Sequence, residues 1–135
     1  MQRSTTLVLA VITMVVANTG FAQCPVIQHS KVPAITDLSY HDARTSLLRA
    51  GWQPLNSIDY NDTDDSDIRY GNEAIFWNKG YSETETCAGT GLGQCIFNFA
   101  DIYGNNLKVV TIGEESPEYN SYATVNRYWL VCEEL

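Results

Sequence analysis

Basic residues are scarce in this sequence: 8 Lys and Arg stand against 16 Asp and Glu, a formal net charge of −8. That balance excludes a binder of the nucleic-acid backbone, which works through clustered cations. Glycine (9) and proline (4) are too few for a fibrous or low-complexity chain, and an apolar fraction of 44% is too high for a disordered one. The nucleophile-elbow pattern GxSxG is missing, and so is the phosphate-loop Gly-Lys-Ser/Thr. No CxxC pair occurs, and neither His29 nor His41 stands at ligand spacing from a cysteine, which argues against a metal site. No apolar run approaches the roughly 20 residues that cross a bilayer.

The apolar run that does exist is short and sits at the start. Residues 1–22 have the form of a secretory leader, with Arg3 ahead of an apolar Leu7–Ala17 and small residues at Gly20 and Ala22 before a cut at Gln23. Residues 23–135 then form one domain of 113 residues. Arg3 leaves with the leader, so the exported part carries 7 cations against 16 carboxylates, a charge of −9. The expected location is periplasmic or extracellular.

All four cysteines lie in that exported part, an even count in a compartment that oxidises thiols. Three pairings are possible. The favoured one joins Cys87 to Cys95 across a short glycine loop, and Cys24 to Cys132 near the two ends of the domain. The second closure would span about 100 residues, and the chain-entropy argument gives it up to ~4–5 kcal/mol.

Local patterns place the elements. Ser39 and Asp42 form a capping-box-like pair, and Tyr40, Ala43, Leu47 and Leu48 then recur at helical spacing. Gly51 stops this helix, and Pro54 keeps it from resuming. A second helix is expected over about 67–78, capped by Ser66 or Asp67. Strands are expected at Tyr81–Thr86 (polar, hence exposed or at an edge), Cys95–Ala100, Leu107–Ile112 and Val125–Cys132. The fold class is α+β: two helices packed on an antiparallel sheet of three to four strands, stapled by disulfides. Trp52, Trp77, Phe97, Phe99, Val109 and Trp129 are the expected core.

Three patterns invite chemistry. Gly89-Thr90-Gly91-Leu92-Gly93 has the spacing GxGxG. A dinucleotide site needs GxGxxG between a buried strand and a helix, so a tight turn closed by Cys87–Cys95 is the better reading. Asp62, Asp64, Ser66 and Glu73 fall at positions 1, 3, 5 and 12 of a calcium loop, but Asp67 stands where the sharp turn needs glycine. The neighbouring pairs Glu83/Glu85, Glu114/Glu115 and Glu133/Glu134 are expected to be exposed, and exposed carboxylates are rarely tuned for catalysis. Asn61-Asp62-Thr63 matches a glycosylation acceptor.

The stretch LSYHDARTSLLRAGWQP (38–54), followed by CAGTGLGQCIFNF and a late aromatic strand ending in cysteine, resembles a group of small exported bacterial proteins of uncharacterised function. The resemblance implies export and two disulfides, and no activity.

The expected function is therefore a non-catalytic binding module that needs no cofactor or metal, in its most concrete form an inhibitor or immunity-type protein. Its partner is expected to be a basic protein, steered in by the acidic charge. The expected contact surface is Asp62, Asp64, Asp65 and Asp67 together with Glu114, Glu115, Glu118 and Tyr119. The alternative is an envelope module that contacts peptidoglycan or glycan through loop aromatics.

Overall fold

A computed structural model describes residues 28–57 and 70–131. Helix α1 (Tyr40–Arg49) starts where the sequence places it: the Ser39 hydroxyl accepts from the Asp42 N–H at 3.2 Å and donates to the Asp42 carboxylate at 2.9 Å. The helix ends at Ala50, and Gly51 follows at φ +96°, a conformation that costs glycine little. Trp52 then folds back, its N–H bonded to the Leu47 carbonyl at 3.0 Å and its ring fully buried.

The sheet is antiparallel and has five strands, β1 (Gln53–Pro54), β2 (Thr84–Cys87), β3 (Cys95–Ala100), β4 (Asn106–Ile112) and β5 (Thr124–Val131). The fifth strand beyond the expected three or four is β1, a two-residue piece after the α1 turn. β1 and β2 share one side of β3, β1 opposite Phe99 and Ala100 and β2 opposite Cys95 to Phe97. β4 and β5 follow on the other side. Cys87 and Cys95 are directly opposed across β2 and β3 and are joined as a disulfide. Such a bond is compatible with an oxidising, exported compartment. Cys24, Cys132 and the leader lie outside the described residues.

Helix α2 (Gly71–Asn78) is shorter than expected. Its N-cap is Tyr70, not Ser66 or Asp67, because Gly71 sits at φ +56° and right-handed helix cannot run back through it. No helix among the described residues is long and apolar enough to cross a membrane.

Ile35, Tyr40, Ala43, Leu47, Trp52, Phe76, Phe97, Phe99, Leu107, Val109 and Val125 pack as one core. Phe97 is at its centre, stacked on Tyr40 at 3.6 Å and edge-on to Phe76 at 5.1 Å. Two expected core tryptophans are placed differently. On α2 the buried positions are Asn72 and Phe76, one helical turn apart, which leaves Trp77 half-buried. Trp129 is 40% exposed. Simple alternation from Val125 would bury it, but β5 carries one extra residue: Val125 opposes Thr111 while Arg127 opposes Val110. That bulge flips the remaining residues, so Tyr128 and Leu130 share the core-side register of Val109 and Leu107, and Trp129 faces away.

The segment ahead of α1, residues 28–39, packs into the fold, since Ile35 is fully buried. It is tied down at Asp101, which accepts from the backbone N–H of Ser30 (2.8 Å), Tyr103 (3.0 Å) and Asn105 (2.8 Å). Burial pushes the Asp101 carboxyl up, but these donors and the Asn105 amide outweigh it and hold its pKa below the ordinary carboxylate value. A lowered folded pKa means stability that is present above the unfolded value and lost as pH falls through the folded one. Asp101→Asn is therefore expected to be less stable than the parent at neutral pH, with the gap narrowing as pH drops below about 3.8. Urea titrations at several pH values measure this, and a constant gap would contradict it.

Candidate functional site

The seam between α1, β2 and the loop after β4 holds a cluster of polar side chains. Two of its carboxylates, Glu83 and Glu115, are fully buried, and both were expected to be exposed. The polar letters of 81–86 suggest an edge. A bulge between Thr84 and Thr86 instead keeps Thr84 opposite the core residue Phe97, and Glu83 just before it reaches under α1. One Glu83 oxygen, Oε1, accepts from the Tyr40 hydroxyl at 2.8 Å and from Arg44 Nε at 2.6 Å. The other, Oε2, is buried without a hydrogen-bond partner among the described residues. The Arg44 guanidinium also lies 4.4 Å from the centre of the Tyr81 ring, a cation–π contact.

These neighbours shift the titrations. Burial, then the charge and hydrogen bond of Glu83, push the Tyr40 hydroxyl well above the usual phenol range. Burial raises Tyr81 as well, with Arg44 acting in the opposite sense. Burial acts to lower the Arg44 pKa, and the bond to Glu83 overrides it.

One residue along α1, His41 sits between Tyr81 and Glu115. Its Nδ1 is 3.0 Å from the Tyr81 hydroxyl, and its Nε2 is bonded to Glu115 Oε1. Glu115 Oε2 accepts the Ala123 N–H at 2.9 Å. The backbone N–H of Glu115 donates to Asn72 Oδ1 at 2.8 Å, and Asn72 Nδ2 donates to the carbonyls of Gly93 (3.0 Å) and Gly113 (2.8 Å). Asn72 thus ties α2 to both the glycine loop and the loop after β4. Gly93 must be glycine on two counts: its φ is +59°, and a Cβ would lie 3.1 Å from Asn72 Nδ2.

Both nitrogens of His41 and both oxygens of Glu115 are spent inside the protein. Chemically this is an anchor: it fixes the loop that follows β4. On that loop the side chains alternate, Glu115 inward and Glu114 outward. Glu118 and Tyr119 sit on a 3-10 turn, Pro117–Tyr119, and Tyr119 is 81% exposed.

Outside the anchor lies a cleft of about 450 Å³, in the size range of small-ligand sites. Tyr70, Leu92 and Glu114 stand around it, and backbone from Ala88 to Gly93 forms one wall. Tyr70 is 73% and Leu92 65% exposed. The glycine loop is thus a cleft wall closed by the Cys87–Cys95 staple, without the helix that a dinucleotide site would place after it.

Of the expected contact residues, Glu114, Glu118 and Tyr119 are exposed on one loop. Glu115 is removed from that surface by its burial. Asp62, Asp64, Asp65 and Asp67 lie outside the described residues, as do the glycosylation acceptor and the calcium pattern apart from Glu73, which is in the first turn of α2. The sequence reading missed Asn72, Arg44, Tyr81 and the inward roles of Glu83 and His41. The available signal was the run Tyr40-His41-Arg44, which puts polar side chains beside the apolar stripe of Ala43 and Leu47. Among known proteins, no family model, no curated protein and no solved structure matches this chain.

Proposed function

We propose that this chain is an exported, non-catalytic protein-binding module whose partner is a basic protein, as an inhibitor or immunity-type protein against a cationic hydrolase or toxin would have. Its kinship with the small exported bacterial proteins it resembles belongs to the same proposal. The observation that carries the reading is the cleft: exposed Tyr70 and Leu92 stand beside exposed Glu114, on loops held by a disulfide and a buried anchor. The exposed Tyr70 ring and Leu92 supply apolar contact, and the Glu114 carboxylate beside them favours a cation. Without residues 1–22 the chain carries 7 cations against 16 carboxylates, −9, which favours fast encounter with a basic surface.

The test is a binding-kinetics panel of basic wall hydrolases and toxins against the oxidised chain without residues 1–22. The expected result is at least one binder whose association slows steeply with added salt. Tyr70→Ala should speed its dissociation more than tenfold, and Glu114→Lys should slow its association several-fold. A binder indifferent to salt and to both substitutions, or a panel with no binder, would overturn the reading.

A further inference from the structure

The connection from β4 to β5, residues 113–123, is pinned along both legs. At its start the Gly113 N–H donates to the Leu92 carbonyl at 2.7 Å, and the Glu115 side chain is held by His41 and the Ala123 N–H. Further out, Ser116 and Ser121 pair as an antiparallel bridge, each N–H donating to the other's carbonyl, at 2.9 and 3.2 Å. The Ser121 hydroxyl adds a bond to the Glu114 carbonyl at 3.0 Å. Residues 117–120 project beyond this clamp as a cap. Pro117 fixes its own φ, and the N–H groups of Tyr119 and Asn120 return to the carbonyls of Ser116 (2.9 Å) and Pro117 (3.1 Å). Asn120 turns the chain back at φ +57°, a left-handed conformation that asparagine tolerates better than most residues. The side chains of Glu118 and Tyr119 stand exposed on the cap and have no polar or ring partner among the described residues. A buried ion pair adds little net stability over an apolar filling of the same space. The pairing of His41 with Glu115 is therefore accounted for by where it holds this loop.

We infer that the loop 116–121 is a plug for the substrate cleft of a basic hydrolase, with Tyr119 entering that cleft. A stiff, convex tip with one projecting ring fits a concave site, and on an enzyme the largest concave site is where substrate binds. A tyrosine seated in a pocket is a common source of most of the binding energy at an interface. The clamp and the cap bonds set the loop's shape before contact, which lowers the ordering cost of binding. Charge agrees with a cationic rim around the pocket. No Lys or Arg occurs from Val109 to Asn126, and the loop offers the exposed Glu114 and Glu118. The same carboxylates oppose a second copy as the occupant. Its cleft is bordered by Glu114, so the tip would bring Glu118 toward a like charge. This inference rests on the reading of a basic hydrolase as partner, and it adds a contact that the cleft does not supply.

The experiment assays basic wall hydrolases on their own substrates in the presence of the oxidised chain without residues 1–22. The expected result is at least one enzyme whose apparent KM rises with the concentration of the chain while its kcat is unchanged. Tyr119→Ala should raise the inhibition constant more than about tenfold, and Tyr119→Phe, which keeps the ring, by less than about threefold. Glu118→Lys should slow association several-fold. Both positions are exposed, and circular dichroism confirms that each variant is folded. An enzyme that is bound without a rise in KM, or that Tyr119→Ala inhibits as strongly as the parent, overturns the plug and leaves the cleft reading standing. Inhibition that falls with Tyr119→Ala and is unmoved by Tyr70→Ala and Glu114→Lys supports the plug and overturns the cleft as the contact. A panel in which no enzyme is bound overturns both. A dimer in sedimentation that Tyr119→Ala dissolves overturns the plug, because the tip is then occupied by a second copy.

Discussion

Glu115→Ala is expected to destabilise the fold by about 3 kcal/mol, the upper end for leaving buried hydrogen-bonding groups without their partner. The loss stays at that level because the His41 side chain keeps 23% of its exposure and can turn to water, whereas Glu115 has none. The substitution leaves the Ala123 N–H without its acceptor and takes from His41 its carboxylate. For a domain of this size the midpoint of thermal unfolding should fall by on the order of 10–15 °C. The effect should be local as well as global. Hydrogen exchange at residues 114–123 should accelerate more than exchange in β3, because the anchor holds that loop while β3 is held on both sides by strands. Glu115→Gln keeps an acceptor for the Ala123 N–H and should lose only about 1 kcal/mol. Equal losses in the two variants would show that the charge, rather than the hydrogen bonds, does the anchoring.

Phe97→Ala is expected to be more damaging, at about 3–5 kcal/mol. Phe97 is fully buried, with Tyr40 stacked on it and Phe76 against its edge, so α1, α2 and the central strand meet on one ring. The loss combines the transfer of the ring, a cavity that three rigid elements cannot close, and two aromatic contacts. Against a total stability of about 5–15 kcal/mol this brings the domain near unfolding at body temperature. Urea unfolding followed by circular dichroism should show a lower midpoint. Phe97→Leu should recover most of the difference, since a leucine fills much of the same volume. A loss under about 1 kcal/mol for the alanine variant would mean that the helices are not held through this ring.

What the sequence made legible was local. Ser39, Gly51, the alternation of Cys95, Phe97 and Phe99, and the pairing of Cys87 with Cys95 all depend on neighbours a few residues away, and each is found as read. What it concealed was long-range. Glu83 and Glu115 are acidic letters in polar stretches, and nothing nearby shows that Arg44 and His41 wait for them across the fold. Trp129 was misplaced for a related reason. A one-residue offset between β4 and β5 leaves no mark in a pattern of alternating letters, yet it reverses the side on which each later residue appears. Glu114 and Glu118 were readable as surface from the proline and asparagine of their loop, a signal that did not separate them from the buried Glu115 between them.

The sulfur bridge also bears on the cleft. It closes the hairpin whose tip, 88–94, walls the cleft. Before oxidation the same tip is held by backbone pairing at the end of a four-residue strand and by the Asn72 amide on Gly93. With the two thiols reduced that wall would be held less firmly, and oxidation would complete it. The firmness of the cleft wall would then follow the redox poise of the surroundings.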